Sequence, residues 1–433
     1  MVSQVLDDLR IRLIPVVLCC AAGAAAQMTT APSLQPLRLS RQQVIEESLL
    51  HNPALIAARA QVEEARAAVV TAAAIPDPTV LADVAGQTHA LNPGSGNASD
   101  QGVALTLPFP GKRALRRDVA TADLRSAQFN VAQLRQQIAS DAVQAYDAIL
   151  VALRHRDDLQ QSRELASDFV RKTRARFLGG NVAKVDVVKA ETDLAQAEND
   201  LIANDRALAT ARAALNRVLG RMAGDPLETT DTLEVPRAMP SVDALERIAE
   251  TSRPEIASAA AQLNGAHAAT RLARQYWAPD VNISSTRNAA DGTPTTWTSA
   301  VTFGVPLFFW QHERGEVAAA RNREAELTAA LADVRAQVSL EVQTAYSTAE
   351  TSLRQAVFIR DHLLPEATEV YRVASVSYGL GGSSALDLLD AKRTLLSAEA
   401  QYVEALGAAN DAVAALQLAI GAPIPPAQPG GQP

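Results

Sequence analysis

This chain carries the same long message twice. At a spacing of 201 residues, Ser40 recurs as Ser241, Asn52-Pro53 as Arg253-Pro254, and Pro78 as Pro279. Further along, Phe177-Leu-Gly-Gly180 is matched by Tyr378-Gly-Leu-Gly381, Asp186-Val-Val by Asp387-Leu-Leu, and Leu219-Gly220 by Ile420-Gly421. In between the offset slips to 198 at Leu107-Pro108-Phe109 and Val305-Pro306-Leu307, and to 200 at Ala145-Tyr146 and Ala345-Tyr346, as expected where a loop shortens. Two copies of one large unit imply pseudo-symmetric halves of a single body rather than a solenoid of small repeats.

Composition narrows what those halves can be. Aromatic residues make up only 4% of the 433 residues while alanine is abundant, which suits helices packed closely on one another better than a thick core. Residues 1–26 read as a secretory signal: Arg10 and Arg12, an apolar stretch from Leu13 to Ala22, and Ala24-Ala25-Ala26 before an expected cleavage. Asp7 and Asp8 depart from the usual basic start. Both cysteines, Cys19 and Cys20, fall in that segment. Neither follows the small residue a lipidated cysteine needs, and lipidation stays open. Cleavage would leave no thiol for disulfides or thiolate metal sites. A net charge of −8 without a basic run argues against nucleic acid as a partner. After the signal no run of about 18 apolar residues is expected to form a transmembrane helix.

The repeats share one plan, with boundaries at 27–220 and 241–421, a crossover at 221–240 and a disordered tail at 422–433. Ser40 and Gln43 form a candidate capping box, and Pro53 starts the next helix, giving helices across 41–74. A hairpin follows over 79–107, its tip rich in Asn, Gly and Ser between Asn92 and Asp100. From Lys112 to Phe177 there is neither proline nor glycine, enough for one helix of about 100 Å. Gly179-Gly180 turns the chain, and 183–219 is the return helix. The second copy reads as helices in 242–276, a hairpin at 280–305, a long helix at 313–378 with an interruption expected at Pro365, and a return helix at 384–419.

The return helices have the clearest periodicity. Val187, Leu194, Leu201, Leu208 and Leu215 recur every seventh residue, with Ala190, Ala197, Asn204, Ala211 and Val218 three places on. Leu388, Leu395, Tyr402, Ala409 and Leu416 keep that frame, beside Ala391, Ala398, Ala405, Ala412 and Ala419. A large residue at one seam position and a small one at the other specify a closely spaced antiparallel coiled coil. Four strands per chain cannot close alone, and an open edge is prohibitive in lipid. Three chains would supply twelve strands, an even number suited to an outer-membrane barrel.

The duplicated unit, the two hairpins, the two very long helices and the tips Phe177-Leu-Gly-Gly180-Asn-Val-Ala-Lys-Val-Asp186 and Tyr378-Gly-Leu-Gly381-Gly-Ser-Ser-Ala-Leu-Asp387 together resemble the TolC family of outer-membrane efflux channels, over essentially the whole mature chain. The resemblance implies a mainly α fold with a β-barrel part. Long antiparallel coiled-coil helices would form a trimeric α-barrel in the periplasm, and four strands per chain would join a twelve-stranded transmembrane β-barrel in outer-membrane lipid. The implied partners are two further copies, a periplasmic adaptor (membrane fusion protein) and an inner-membrane pump of the RND type. The resemblance also implies roles for single residues. Asp387 and Asp390 would ring the periplasmic entrance, and Asp186 and Tyr378 would tie it closed. Ser383 stands where the family's best-studied closed channel has a latch arginine. Phe177, Gly180, Asn181, Gly381 and Gly382 would meet the adaptor. Pro110-Gly-Lys-Arg113 and Gln311-His-Glu-Arg-Gly315 look most like the cobalt–zinc–cadmium and copper–silver branch. Channels for drugs, for organic solutes or for type I secretion remain alternatives, as, more distantly, does a periplasmic coiled-coil scaffold.

Chemistry other than conduction finds no support. His51, His89, His155, His267, His312 and His362 are scattered singly, and His312-Glu313 reads as a solvated helix start. No Ser/His/Asp set or phosphate loop is evident, so neither catalysis nor a cofactor is expected. A further reading of Asp387 and Asp390 is that of ordinary acidic residues near a helix start.

Overall fold

The computed structural model describes residues 36–85, 98–237, 239–290, 294–304 and 308–425. The expected signal, with Cys19 and Cys20, lies outside these residues, as do most of the first hairpin tip, Val305-Pro306-Leu307 and the last eight residues.

The first half runs β1 (Leu37–Leu39), α1 (Arg41–His51), α2 (Pro53–Ala73), β2 (Thr79–Ala85), β3 (Ala98–Leu107), α3 (Lys112–Leu178) and α4 (Lys184–Val218). After β4 (Leu227–Thr229) the second half runs α5 (Val242–Ser252), α6 (Pro254–Ala273), β5 (Val281–Ala290), β6 (Thr296–Phe303), α7 (Phe309–Phe358), α8 (Leu364–Leu380) and α9 (Ala385–Ile420). At 67 residues α3 is unbroken and spans about 100 Å. Its counterpart is interrupted next to Pro365, as expected, though by a single widened turn and not by a gap. Between α7 and α8 lies a π turn, Ile359–Leu363, where the Leu364 amide donates to the Ile359 carbonyl. Pro365 has no amide to donate and its ring would crowd the carbonyl four residues back. One widened turn absorbs that misfit and the helix carries on.

The shorter helices form struts along the long ones. α2 and α4 both run antiparallel to α3, one along each half, and meet end to end. The amide of Asn52, which caps α2, donates to the Val218 carbonyl at the end of α4 at 2.9 Å. In the second half Arg253 occupies the matching place before α6. Its guanidinium donates to the Leu418 and Ala419 carbonyls at the end of α9, at 3.2 and 3.0 Å, and pairs with Glu255 and Glu341. The carbonyl-rich end of one helix thus faces the amide-rich start of the next, a favourable alignment of dipoles. Gly220 and Gly421 leave these joints at φ +70° and +69°. A Cβ on Gly220 would lie 2.7 Å from the His51 carbonyl, and one on Gly421 3.0 Å from that of Ser252.

A small equatorial layer covers the joints. β1 and β4 pair in parallel, Leu37 with Leu227, and with α1 they pack on Ala142, Tyr146, Ile149 and Leu150 of α3. Arg41 donates to the buried carboxylate of Asp147, and its guanidinium reaches Asn410 of α9. Burial pushes the Asp147 pKa up to about 6, against the opposing effect of Arg41. The Tyr146 hydroxyl lies 3.0 Å from both the Leu39 carbonyl and the Asp231 carboxylate.

All five seam alanines of α9 are buried, and so are Ala190 and Ala197 of α4. Asn204 fills its seam position by donating to the Ala152 carbonyl of α3 at 3.0 Å. The expectation of no sufficiently apolar helix needs correction, because α9 is long and apolar enough to cross a membrane by composition. Most of that stretch is buried, so its apolar character comes from the coiled-coil seam.

At the opposite end from the helix turns, the strands form one antiparallel sheet in the order β2-β3-β5-β6, leaving β2 and β6 as edges among the described residues. Its register sorts side chains by polarity. One face carries the rows Leu107–Val281–Phe303, Leu105–Ile283–Val301 and Val103–Ser285–Ser299, with Val80 beside Val103. The other carries Thr106–Asn282–Thr302, Ala104–Ser284–Ala300 and Gly102–Thr286–Thr298. Ser285 and Ser299 bond each other at 3.2 Å, satisfying the polar pair on the apolar face.

The joints are expected to differ in strength. Arg253→Ala leaves Glu341 without its cation and the Ala419 carbonyl without its donor, while the Leu418 carbonyl keeps the Gly421 amide, and should cost about 3 kcal/mol. Asn52→Ala removes a neutral bond and a helix cap, for about 1 kcal/mol. Urea midpoints of the solubilised protein check the order.

Candidate functional site

Both long helices end in the same chemistry. In the first tip the Gly180 amide donates to the Phe177 carbonyl and the Asn181 amide to that of Arg176, at 2.9 Å each. In the second, Gly381 donates to Tyr378 at 3.1 Å and Gly382 to Ser377 at 2.8 Å. These paired bonds form the glycine-terminated turn that satisfies the last carbonyls of a helix. It needs a left-handed residue, supplied by Gly180 at φ +74° and Gly381 at φ +85°. Phe177, Leu178, Val185 and Val188 are exposed around the first tip, and Val376, Leu380 and Leu386 around the second.

Tyr378 joins the two tips. Its side chain is buried, the ring meets Phe169 edge-on at 5.5 Å, and the hydroxyl lies 3.1 Å from Thr173 Oγ1. Arg176 reaches across from α3, with its guanidinium carbon 4.5 Å from the centre of the Tyr378 ring, and donates to the Tyr378 carbonyl at 2.6 Å. Beyond this, Lys392 of α9, itself buried, donates to Asp193 of α4 at 2.7 Å. A cation held over an aromatic face and a buried ion pair thus fasten the second tip to the first.

The other residues singled out from sequence are arranged differently. Asp186 is half-buried in the first turn of α4, and its carboxylate has no partner among the described residues; within one chain Tyr378 meets Thr173 and Arg176 instead. The Ser383 hydroxyl donates to the Ala374 carbonyl at 3.3 Å, back onto the helix that the turn follows. Asp387 is exposed and forms a capping box with Ser384, accepting from its amide at 2.9 Å and its hydroxyl at 2.8 Å. The Ser384 amide holds the Asp387 pKa below the usual carboxylate range. Asp390 is exposed one turn on. Sequence reasoning passed over Thr173, Arg176, Asp193 and Lys392, because each bond spans about two hundred residues. One signal was available for Arg176: it stands beside the tip aromatic, where the other copy has Ser377.

Histidines find ordinary company. His51 lies 3.0 Å from Glu47 and His267 lies 3.1 Å from Glu324, while His362 packs on Phe358. His89 and the side chain of His312 are outside the described residues. No cluster of three metal-ligating side chains occurs among the described residues.

Comparison with known proteins fits this geometry. The family described as Outer membrane efflux protein matches residues 44–221 and 245–422, one copy per half. The chain is 24% identical over 410 residues to the cobalt-zinc-cadmium resistance protein CzcC of Cupriavidus metallidurans, covering 92% of this chain and 95% of that one. It is 25% identical over 333 residues to the nickel-cobalt-cadmium resistance protein NccC of Alcaligenes xylosoxydans xylosoxydans, covering 75% of this chain and 74% of that one. Among solved structures, the outer-membrane channel OprN superposes with a TM-score of 0.75 at 21% identity, covering 88% of this chain and 89% of that one.

The tips should tolerate little change at two positions. Gly180→Val or Gly381→Val forces a β-branched residue into left-handed backbone, at about 1–2 kcal/mol per site. Each is expected to abolish efflux while leaving membrane insertion intact. Resistance assays and membrane fractionation of the variants check both halves of that statement.

Proposed function

This chain belongs to the outer membrane efflux protein family, and we propose that it is the exit duct of a tripartite assembly that expels heavy-metal cations. Three copies would close a twelve-stranded barrel, with α3, α4 and α7–α9 as the wall of a periplasmic tunnel. A periplasmic adaptor would dock on the exposed apolar side chains of the tips, and an inner-membrane pump would select the cargo. The observation that carries this reading is the sheet. It has one apolar face, one hydroxyl- and amide-rich face and two edges, the properties lipid and water demand of a barrel wall. Trp277, Phe308 and Trp310, exposed at its base, suit a membrane–water interface. The cargo class rests on the resistances named for CzcC and NccC.

Loss of this chain should lower the inhibitory concentrations of cobalt, zinc or cadmium for the cells, as expected when a coupled export route is cut. Unchanged metal tolerance with new sensitivity to organic solutes would shift the cargo to that class.

The entrance reading concerns Asp387 and Asp390. Three exposed pairs brought together would make an acidic ring, which favours cations. The Ser384 amide holds the Asp387 pKa below the usual carboxylate range within one chain, while like charges gathered in a ring would oppose that shift, so the cation selectivity should weaken as the pH falls. Asp387→Asn with Asp390→Asn keeps an acceptor for Ser384 and removes the charge. Reversal potentials in planar bilayers should then move toward zero, and block by multivalent cations should weaken. Identical potentials for the two proteins would make both aspartates ordinary helix-start residues.

A further inference from the structure

The apolar face of the sheet ends on a charge. Following its rows upward from Leu107–Val281–Phe303, the fourth row is Gln101–Arg287–Trp297. Rows are two residues apart, so this one lies about 20 Å further along the strands. Alternation leaves no choice of face for Arg287, which shares its side with Val281 and Ile283. No hydrogen bond or ion pair to Arg287 is found among the described residues. Guanidinium does not lose its proton in proteins, so it has no neutral form with which to enter hydrocarbon. A lipid-facing cation is costly at the bilayer midplane and nearly free at its edge. Its cross-strand partner Trp297 is 70% exposed, an indole of the kind that settles at headgroup level.

We propose that Arg287, flanked by Trp297 and Gln101, is a binding site for the phosphate of an anionic lipid at the outer rim of the barrel. The site rests on the barrel reading and deepens it. Arginine offers a planar fork of donors that matches phosphate oxygens two at a time. Gln101 can add an amide donor, and the indole offers a flat apolar wall to the lipid's upper chain. The three copies would give a ring of such contacts, holding the barrel at one depth. The apolar rows below set the thickness of the band and the arginine row marks where it stops.

The experiment uses the full chain inserted in vesicles, then extracted for native mass spectrometry with phosphatidylglycerol and with phosphatidylcholine. The wild type should retain phosphatidylglycerol preferentially. Arg287→Gln should weaken that retention about tenfold, the worth of one charge-assisted hydrogen bond. Arg335→Gln, which removes an exposed charge from α7, should leave it unchanged. Equal retention by Arg287→Gln and wild type overturns the site. Displacement of the lipid by millimolar inorganic phosphate overturns the lipid as its occupant, leaving a free-anion site. Should Arg287→Gln fail to insert, the wild type decides alone, and equal retention of the two lipids overturns the proposal. A wild-type chain that never inserts overturns the barrel reading and this site together.

Discussion

Everything above and below the equator hangs on two end-to-end helix joints. A helix ending inside a protein leaves four carbonyls to satisfy. Here α4 and α9 present theirs to the start of another helix, with a side chain from the gap as donor: Asn52 to Val218, Arg253 to Leu418 and Ala419. The consequence is mechanical. Two short helices become one strut matched to a helix of 67 residues, so a chain with few aromatic residues builds a long, thin wall. The glycines leaving each joint exist for the same reason, because a Cβ on either would press on a carbonyl of the adjoining helix.

The two joints also show how duplication diverges. Asn52 and Arg253 do the same work, but the arginine brings a charge that must itself be met, and Glu255 and Glu341 meet it. The tips diverge likewise. Their turns are superposable in bonding, while only the second places its aromatic, Tyr378, in the space between the repeats. There Arg176 covers the ring from the other repeat, and Lys392 and Asp193 repeat the fastening further up. For the entrance we propose, this puts the cross-repeat hold on residues of α3, α4, α8 and α9, while Ser383 bonds back to Ala374 of the helix it follows.

At the other end the constraint is the solvent on each side of the sheet. Alternation along β3, β5 and β6 produces an apolar wall and a wettable one from the same strands. In the barrel we propose, further copies of the chain would meet the edges that β2 and β6 present among the described residues. The polarity of each face is set locally by the alternation along each strand.

What could be read from the sequence was whatever repeats or alternates. The 201-residue echo, the proline- and glycine-free run to Phe177, the alanine seam of α9 and the glycines of both tips each follow from a short-range rule: helical period, helix breaking, or the need for positive φ. The family resemblance rested on those features. Tertiary structure decided the rest. Pro365 reads as an interruption, and the fold gives that interruption its form, one π turn between α7 and α8. No apolar run pointed to a membrane span, and α9, apolar enough by composition, is mostly buried along that stretch. Asp387 reads as an acidic residue near a helix start, and the folded turn adds its bonds to Ser384. The partners of Arg176, Lys392 and Arg253 left no pattern, because a bond between residues far apart in sequence leaves no periodicity. Its energy depends on distance in space, which only the folded chain sets.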